Sequence, residues 1–327
     1  MASISLRGDR WQVRVRRKGH ATETRSFATK QDAERWARSL EVAIDRGSYI
    51  SPSDADNVSL GVLVERYLHE VTPTLKGAKE DSYRLKALMR HAMCKLRIRA
   101  VTPHRIAQFR DERLKSVGPG TVIRELAYLS AIINHARREW GINVENPISR
   151  VRKPSSPVGR DRVLSSAEES CLLEALRPVG RRSPWMLALV ILALETGMRR
   201  GELLAMQWED VSLSSRTVAL HDTKNGEGRV VPLSSRAVEV MQALPRSIKG
   251  RVLPLAAPAA SKAFERAVAR AGVEDFRFHD LRHTAITRMA SKLPNVIELA
   301  AVSGHKSLRM LQRYYHPRAE ELAIKLG

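Results

Sequence analysis

The C-terminal half of the chain carries a set of side chains able to bind or attack an anionic substrate. Arg199 follows Gly197-Met198, Lys224 sits beside Asn225-Gly226, and His279 and Arg282 stand three apart. His305 follows Ser303-Gly304, and Tyr314 precedes Tyr315. Arginine and lysine supply fixed positive charge, histidine exchanges protons near neutral pH, and a phenol is a potential nucleophile. Taken singly, each also has an ordinary reading: a helix-capping arginine, a solvated turn lysine, one tyrosine in the core and one in solvent. A metal is the rival reading of His279-Asp-Leu-Arg-His283, because two histidines four apart on a helix can hold zinc. The acid after the first histidine is Asp280, not the glutamate of zinc proteases, and Arg282 would crowd the cation. No metal and no cofactor are expected.

Charge points to a polyanion as partner. The 327 residues carry a formal net charge of +21. The excess is 3 in residues 1–57, 8 in 58–150 and 10 in 151–327, so it belongs to the folded body and not to a tail. Nucleic acid comes first among such partners and an anionic membrane surface second. The longest apolar run, Trp185–Leu194, is half of what a membrane span needs, and the N-terminus lacks an apolar leader, so no membrane role is expected. Two cysteines, Cys94 and Cys171, make no disulfide framework, which suits a reducing, cytoplasmic and nucleoid-associated setting.

These residues need elements to position them. At the N-terminus, Trp11, Val13 and Val15 alternate with Gln12, Arg14 and Arg16, a strand pattern that turns at Arg17-Lys18-Gly19-His20 and returns to Phe27. A helix with Trp36 and Leu40 follows, giving a β-β-α unit over 1–50. Its arginine face is either a solvated strand face or a DNA-contacting one. After a polar linker at 51–57, Leu60, Leu63, Val64, Tyr67 and Leu68 form a helical stripe. Ile106, Phe109 and Leu114 suggest a second helix, and Val122, Leu126, Leu129, Ile133, Ala136 and Trp140 a long third one ended by Gly141. Residues 58–150 are therefore expected to be an all-helical domain. A basic linker at 151–162, with Arg152 and Lys153, leads to the capping box Ser165–Glu168 and a third domain over 160–327. Ser183-Pro184 opens a buried helix that stops at Gly197, and residues 216–233 read as a hairpin around Asn225-Gly226. The fold class is mostly α with small β elements.

In this order and spacing the residues resemble the tyrosine recombinases, or phage integrases. Thr196-Gly-Met-Arg-Arg-Gly-Glu-Leu-Leu is similar to the family's first-arginine box, and Thr223-Lys224-Asn-Gly to its hairpin lysine. His279-Asp-Leu-Arg282-His is similar to its H-x-x-R box, and Ser303-Gly-His305 precedes Arg313-Tyr314-Tyr315-His316 at the family's interval. Ser303 departs from the usual leucine at what reads as a packing position. Other stretches look like the shufflon-specific recombinases of plasmids: Ala136-Arg-Arg-Glu-Trp140-Gly, Asn146-Pro147, Arg152-Lys-Pro154, Gly159-Arg-Asp-Arg162 and Ala301-Val-Ser-Gly-His-Lys. The resemblance implies an arm-binding-like first unit, a helical core-binding domain and a mainly-α catalytic domain.

It also implies roles. Arg199 and Arg282 would cradle the nonbridging phosphate oxygens, and Tyr314 would attack phosphorus to give a covalent 3′-phosphotyrosine that stores the bond for resealing without ATP. Lys224 would protonate the leaving 5′ oxygen, His279 would take the tyrosine proton or bind phosphate, and His305 would donate to a nonbridging oxygen. Glu202 would hold Arg199 or His305. DNA contacts would come from Arg14, Arg16, Arg17, Lys18, Arg152 and Lys153. The implied partners are double-stranded recombination sites and a homotetramer on synapsed DNA, monomeric free in solution, with accessory bending or directionality proteins. The tail, with Leu322 and Ile324, would dock in cis or in trans. Three other readings stay open: an integrase or excision enzyme of a phage or genomic island, a catalytically silent architectural DNA-binding protein, and a type IB topoisomerase.

Overall fold

The structure is a computed structural model and describes residues 2–17, 22–45, 58–142, 144–157, 159–221, 228–245, 250–293, 295–315, 323–324 and 326–327. It divides into two compact units, residues 1–158 and 159–327.

The first unit begins with an antiparallel sheet in the order β1 (Ala2–Arg7), β2 (Arg10–Val15), β3 (Glu23–Phe27), followed by α1 (Lys30–Asp45). Alternation does what the pattern predicts: Val13 and Val15 are buried with Ala33, Ala37 and Leu40 of α1. The sheet has one strand more than the two expected. Gly8, at φ +63°, turns the chain so that Ser3 pairs with Arg14 and Arg14 with Thr24. That strand gave little signal because it is short and its Leu6 stays 56% exposed. The face away from α1 is polar: Ser3, Ser5, Arg7, Gln12, Arg14 and Thr24 line one depression.

The rest of this unit is helical: α2 (Leu60–Glu70), α3 (Ala78–Met89), α4 (Pro103–Leu114) and α5 (Pro119–Glu139). Ser59 and Thr102 cap α2 and α4, their hydroxyls accepting the otherwise orphaned backbone N–H groups of Val62 and Arg105. The stripe Leu60, Leu63, Val64, Tyr67 and Leu68 is buried against Ile106, Phe109, Leu126, Leu129 and Ile133. Leu114 is the exception: at the last turn of α4 it is 37% exposed and outside that core.

The second unit is built on α7 (Trp185–Thr196), whose sides are apolar nearly all round. It is enclosed by α6 (Ser166–Ala175), α9 (Ser235–Gln242), α10 (Ala257–Arg270) and α11 (Phe278–Lys292). Short α8 (Arg200–Ala205) follows it, and α12 (Val296–Ser303) follows α11. A small sheet, β4 (Val211–Ser212), β5 (Thr217–Leu220) and β6 (Arg229–Pro232), forms the hairpin. Ser165 and Glu168 make the capping box of α6. Buried Glu169 receives Arg236 and Arg288 at 2.9 and 2.6 Å, tying α6 to α9 and α11. Among the described residues no helix is long and apolar enough to cross a membrane. Cys94 is buried and Cys171 exposed. In the tail, Ile324 is 81% exposed, and Leu322 lies outside the described residues.

Candidate active site

Two helices end at the site in the same way. Gly197 closes α7 at φ +60° and Gly304 closes α12 at φ +68°, left-handed conformations that a side chain would strain. Arg282, from the first turns of α11, reaches between these ends. Its Nη1 donates to the Gly197 carbonyl at 2.5 Å and its Nη2 to the Ser303 carbonyl at 2.6 Å. Both acceptors lie at the negative ends of helices, which compensates a guanidinium only 4% exposed. Burial, with Arg199 and Arg229 nearby, pulls Arg282 down to about 10 against the pull of Glu202, so it stays charged at neutral pH.

Glu202 organises the other cations. As third residue into α8 it accepts the Arg199 backbone N–H at 2.9 Å and the Arg199 guanidinium at 2.8 Å. Arg229, at the start of β6, grips the same carboxylate with both terminal nitrogens at 3.1 and 2.8 Å. Burial alone would raise the Glu202 pKa, but the bonds from Arg229 and Arg199 outweigh it and hold the group at about 2. Of the two partners expected for Glu202, Arg199 is the one bonded. Arg229 had drawn no attention in the sequence, because its pairing spans 27 residues. Its guanidinium also lies flat against Gly304, where an added Cβ would come within 2.8 Å of it.

His305 sits among these arginines. Burial first, then Arg282, Arg199 and Arg229, push it down to about 4, so it is neutral at pH 7. Arg282 Nη2 can only donate, so His305 Nε2 accepts at 3.5 Å, and Nδ1 carries the proton and donates to Ser303 Oγ at 2.7 Å. Ser303 Oγ in turn donates to the Leu299 carbonyl at 2.6 Å. Ser303 is therefore more than the packing position expected: fully buried, it orients the histidine.

Tyr314 closes the cluster from a short 3-10 turn, Gln312–Tyr314. Its hydroxyl lies 2.5 Å from His283 Nδ1, and its ring centroid is 6.5 Å from that of His305. Burial raises the phenol pKa against the pull of Arg313 and Arg282. Tyr315 is spoken for elsewhere, since its hydroxyl donates to the Leu293 carbonyl. Both tyrosines are half-buried, so neither is the solvent-facing one of the sequence reading.

The segment entering this unit braces the site. Arg160 binds buried Asp280 with Nε and Nη2 at 3.2 and 2.9 Å and Asp275 with Nη1 at 3.0 Å. Its carbonyl accepts from Arg313 at 2.6 Å, next to the nucleophile candidate. Arg162 is likewise paired with Glu168. The far half of the basic linker is thus pinned to acids and to the site's own backbone. Arg152 and Lys153 are exposed.

Arg199, Arg282, His305, Tyr314 and Glu202 are brought together. His279 stands exposed at the first turn of α11, its ring edge-on to that of His283 at 5.4 Å. His279 also lines a cavity of about 430 Å³ with Arg200, Phe264, Phe276 and Phe278. Arg14 and Arg16 are exposed and Arg17 is half-buried. Lys224, Lys18 and His316 lie outside the described residues.

Two outcomes follow from this geometry. Gly197→Ala should cost about 1–2 kcal/mol through backbone strain alone, since its Cβ would meet only ordinary contacts from 3.5 Å outward. Gly304→Ala should cost more in urea denaturation, and the excess should vanish in an Arg229→Ala background; equal cost in both backgrounds would contradict the packing. For His305, the unfolded imidazole gains its proton below about 6.5 and the folded one only near 4. Stability should therefore fall as pH drops from 6.5 toward 4, and His305→Asn should flatten that limb. An unchanged limb would contradict the burial of a neutral ring.

Comparison with known proteins places the chain in a family. Residues 162–321 match the Phage integrase family model and residues 56–154 that of the phage integrase N-terminal domain. A shufflon-specific DNA recombinase of Escherichia coli is 40% identical over 278 residues, 82% of this chain and 72% of its own length. A putative integrase/recombinase of Haemophilus influenzae is 34% identical over 342 aligned positions, 100% of this chain and 91% of its own. A lambda integrase from a tetramer bound to a Holliday junction superposes with a TM-score of 0.67 at 20% identity, over 97% of this chain and 95% of that one. The Tn1549 transposon integrase in complex with circular intermediate DNA does so with 0.67 at 18%, over 83% and 100%. At such identities the structures speak for the fold, while the two sequence relatives cover most of their own length. The chain belongs to the phage integrase family and is a tyrosine-type, site-specific DNA recombinase.

Proposed function

We propose that Tyr314 is the nucleophile and that Arg199 and Arg282 hold the scissile phosphate while charge grows on its nonbridging oxygens. The observation carrying this is that the Tyr314 phenol and the arginine cluster face one another across His305, with the second tyrosine committed to a backbone carbonyl. Three arginines around one carboxylate leave two positive charges unanswered, which suits an incoming phosphodiester whose transition state gathers further negative charge. Neutral His305 has its proton on Nδ1, so Nε2 becomes a donor to phosphate only after taking a proton, which the arriving anion favours. Lys224 protonates the departing 5′ oxygen, and His279 binds phosphate at the cavity mouth. Glu202 positions Arg199.

The chain divides by function as 1–50, 58–150 and 160–327: arm-binding, core-binding and catalytic. Arg14, on the polar sheet face with Gln12 and Arg7, is the best-placed arm contact, and Arg16, Arg17, Lys18, Arg152 and Lys153 add phosphate contacts. The protein works as a homotetramer on two paired sites in the nucleoid, with accessory bending or directionality proteins. DNA inversion is favoured by the shufflon-specific relative. Integration and excision of a mobile element is the second reading, favoured by relatives such as the integrase of Salmonella phage P22.

The test begins with sheared, nicked genomic duplexes. Wild-type protein should capture one class of site covalently, resistant to denaturant, and sequencing the attached ends identifies it. Tyr314→Phe should bind the captured duplex within about twofold and form no adduct; an adduct in that variant removes the assignment. Arg14→Ala should weaken binding and lower the slope of log affinity against log salt by about 1; an unchanged slope would return that face to solvent.

A further inference from the structure

We propose that His283 is the general base that takes the phenolic proton of Tyr314. This rests on the assignment of Tyr314 as nucleophile. The phenol oxygen is the reacting atom, and His283 Nδ1 lies 2.5 Å from it, close enough for direct proton transfer. The two rings are nearly parallel, 29° apart with centroids 5.9 Å apart, so the imidazole meets the phenol near its own plane and can receive the proton along a lone pair.

Helix geometry explains the division of labour. Arg282 and His283 are consecutive on α11, so their side chains leave the helix about 100° apart. The first enters the interior between the ends of α7 and α12, and the second turns toward the segment carrying Tyr314. One turn of helix thus supplies both a phosphate anchor and a proton acceptor.

The surroundings keep His283 free of a proton until the reaction delivers one. From its own helix it faces His279, Asp280 and Arg282, and from the nucleophile segment Arg313 and Tyr314; His305 comes from beyond the end of α12. Burial lowers its pKa first, then His279 and Arg313, with Asp280 the one group opposing them. Asp280 is itself engaged by Arg160 and by the Arg277 backbone. At neutral pH the ring is therefore an acceptor, and the phenol, whose pKa is raised, is the donor.

The step balances without any further reagent. The Tyr314 O–H proton passes to His283 Nδ1 as the oxygen bonds to phosphorus. The bond from phosphorus to the 5′ oxygen breaks, and that oxygen leaves with a proton from Lys224. In resealing, the 5′ hydroxyl attacks phosphorus and gives its proton back to the Lys224 amine, while the departing phenol oxygen recovers its proton from the His283 imidazolium. His279 had been the candidate for this proton in the sequence; the phenol is bonded instead by the histidine one turn further on.

Single-turnover cleavage on the captured duplex tests this. His283→Gln keeps an acceptor of similar reach but cannot carry the proton. It should cleave about 10²–10⁴-fold more slowly while binding the duplex within about twofold. The defect should persist on a duplex with a 5′-bridging phosphorothiolate, whose sulfur leaves without an acid; on that substrate a Lys224→Ala defect should disappear. The wild-type rate on the phosphorothiolate should fall with acid below the ordinary histidine range, and His283→Gln should lack that limb. Wild-type cleavage by His283→Gln overturns the proposal, and so does its rescue by the phosphorothiolate, which would make His283 the acid. If Tyr314→Phe still forms an adduct, the nucleophile assignment fails instead, whatever His283 does.

Discussion

A single guanidinium inside the protein sets the geometry of the rest. Arg282 spends its donors on the last carbonyls of two helices, and those helices can present them only because each ends in a glycine with positive φ. Burying a charge costs several kcal/mol unless the surroundings answer it, and two helix C-termini answer with partial negative charge and direct hydrogen bonds. Remove that cation and the ends of α7 and α12 lose their common partner. The same clasp brings Gly304 beside Arg229 and fixes where His305 leaves the chain.

Around this anchor the positive charges outnumber the negative. Glu202 satisfies parts of Arg199 and Arg229, while His305 and His283 are held neutral by burial and by the arginines. The site therefore waits with excess positive charge and with uncharged imidazoles on both sides of the phenol. A phosphodiester, whose charge shifts onto nonbridging oxygens as phosphorus becomes five-coordinate, would suit that excess.

Local pattern was legible where local physics decides. The stripe from Leu60 to Leu68, the capping box at Ser165 and the stop at Gly197 all stood in the sequence, because 3.6-residue periodicity, orphan N–H groups and left-handed backbone act over a few residues. What escaped was long-range. Arg229 meets Glu202 from 27 positions away, Arg160 meets Asp280 from 120, and His283 meets Tyr314 from 31. No spacing rule announces such pairs. Ser303 escaped for another reason: a small buried hydroxyl looks like filler until its bond to His305 is seen. Leu114 keeps the apolar period of α4 yet stays 37% exposed at its last turn, because period marks a face and not how far the core extends along it.

The adjacent tyrosines give the account its sharpest exposure to test. Tyr314 points at His283, whereas Tyr315 donates to the Leu293 carbonyl at the C-terminal end of α11. Tandem mass spectrometry of the nuclease-trimmed covalent complex, read residue by residue across Arg313–Tyr315, locates the attached nucleotide. The account predicts the nucleotide mass on the Tyr314 side chain alone; finding it on Tyr315, or on any residue other than tyrosine, would contradict it.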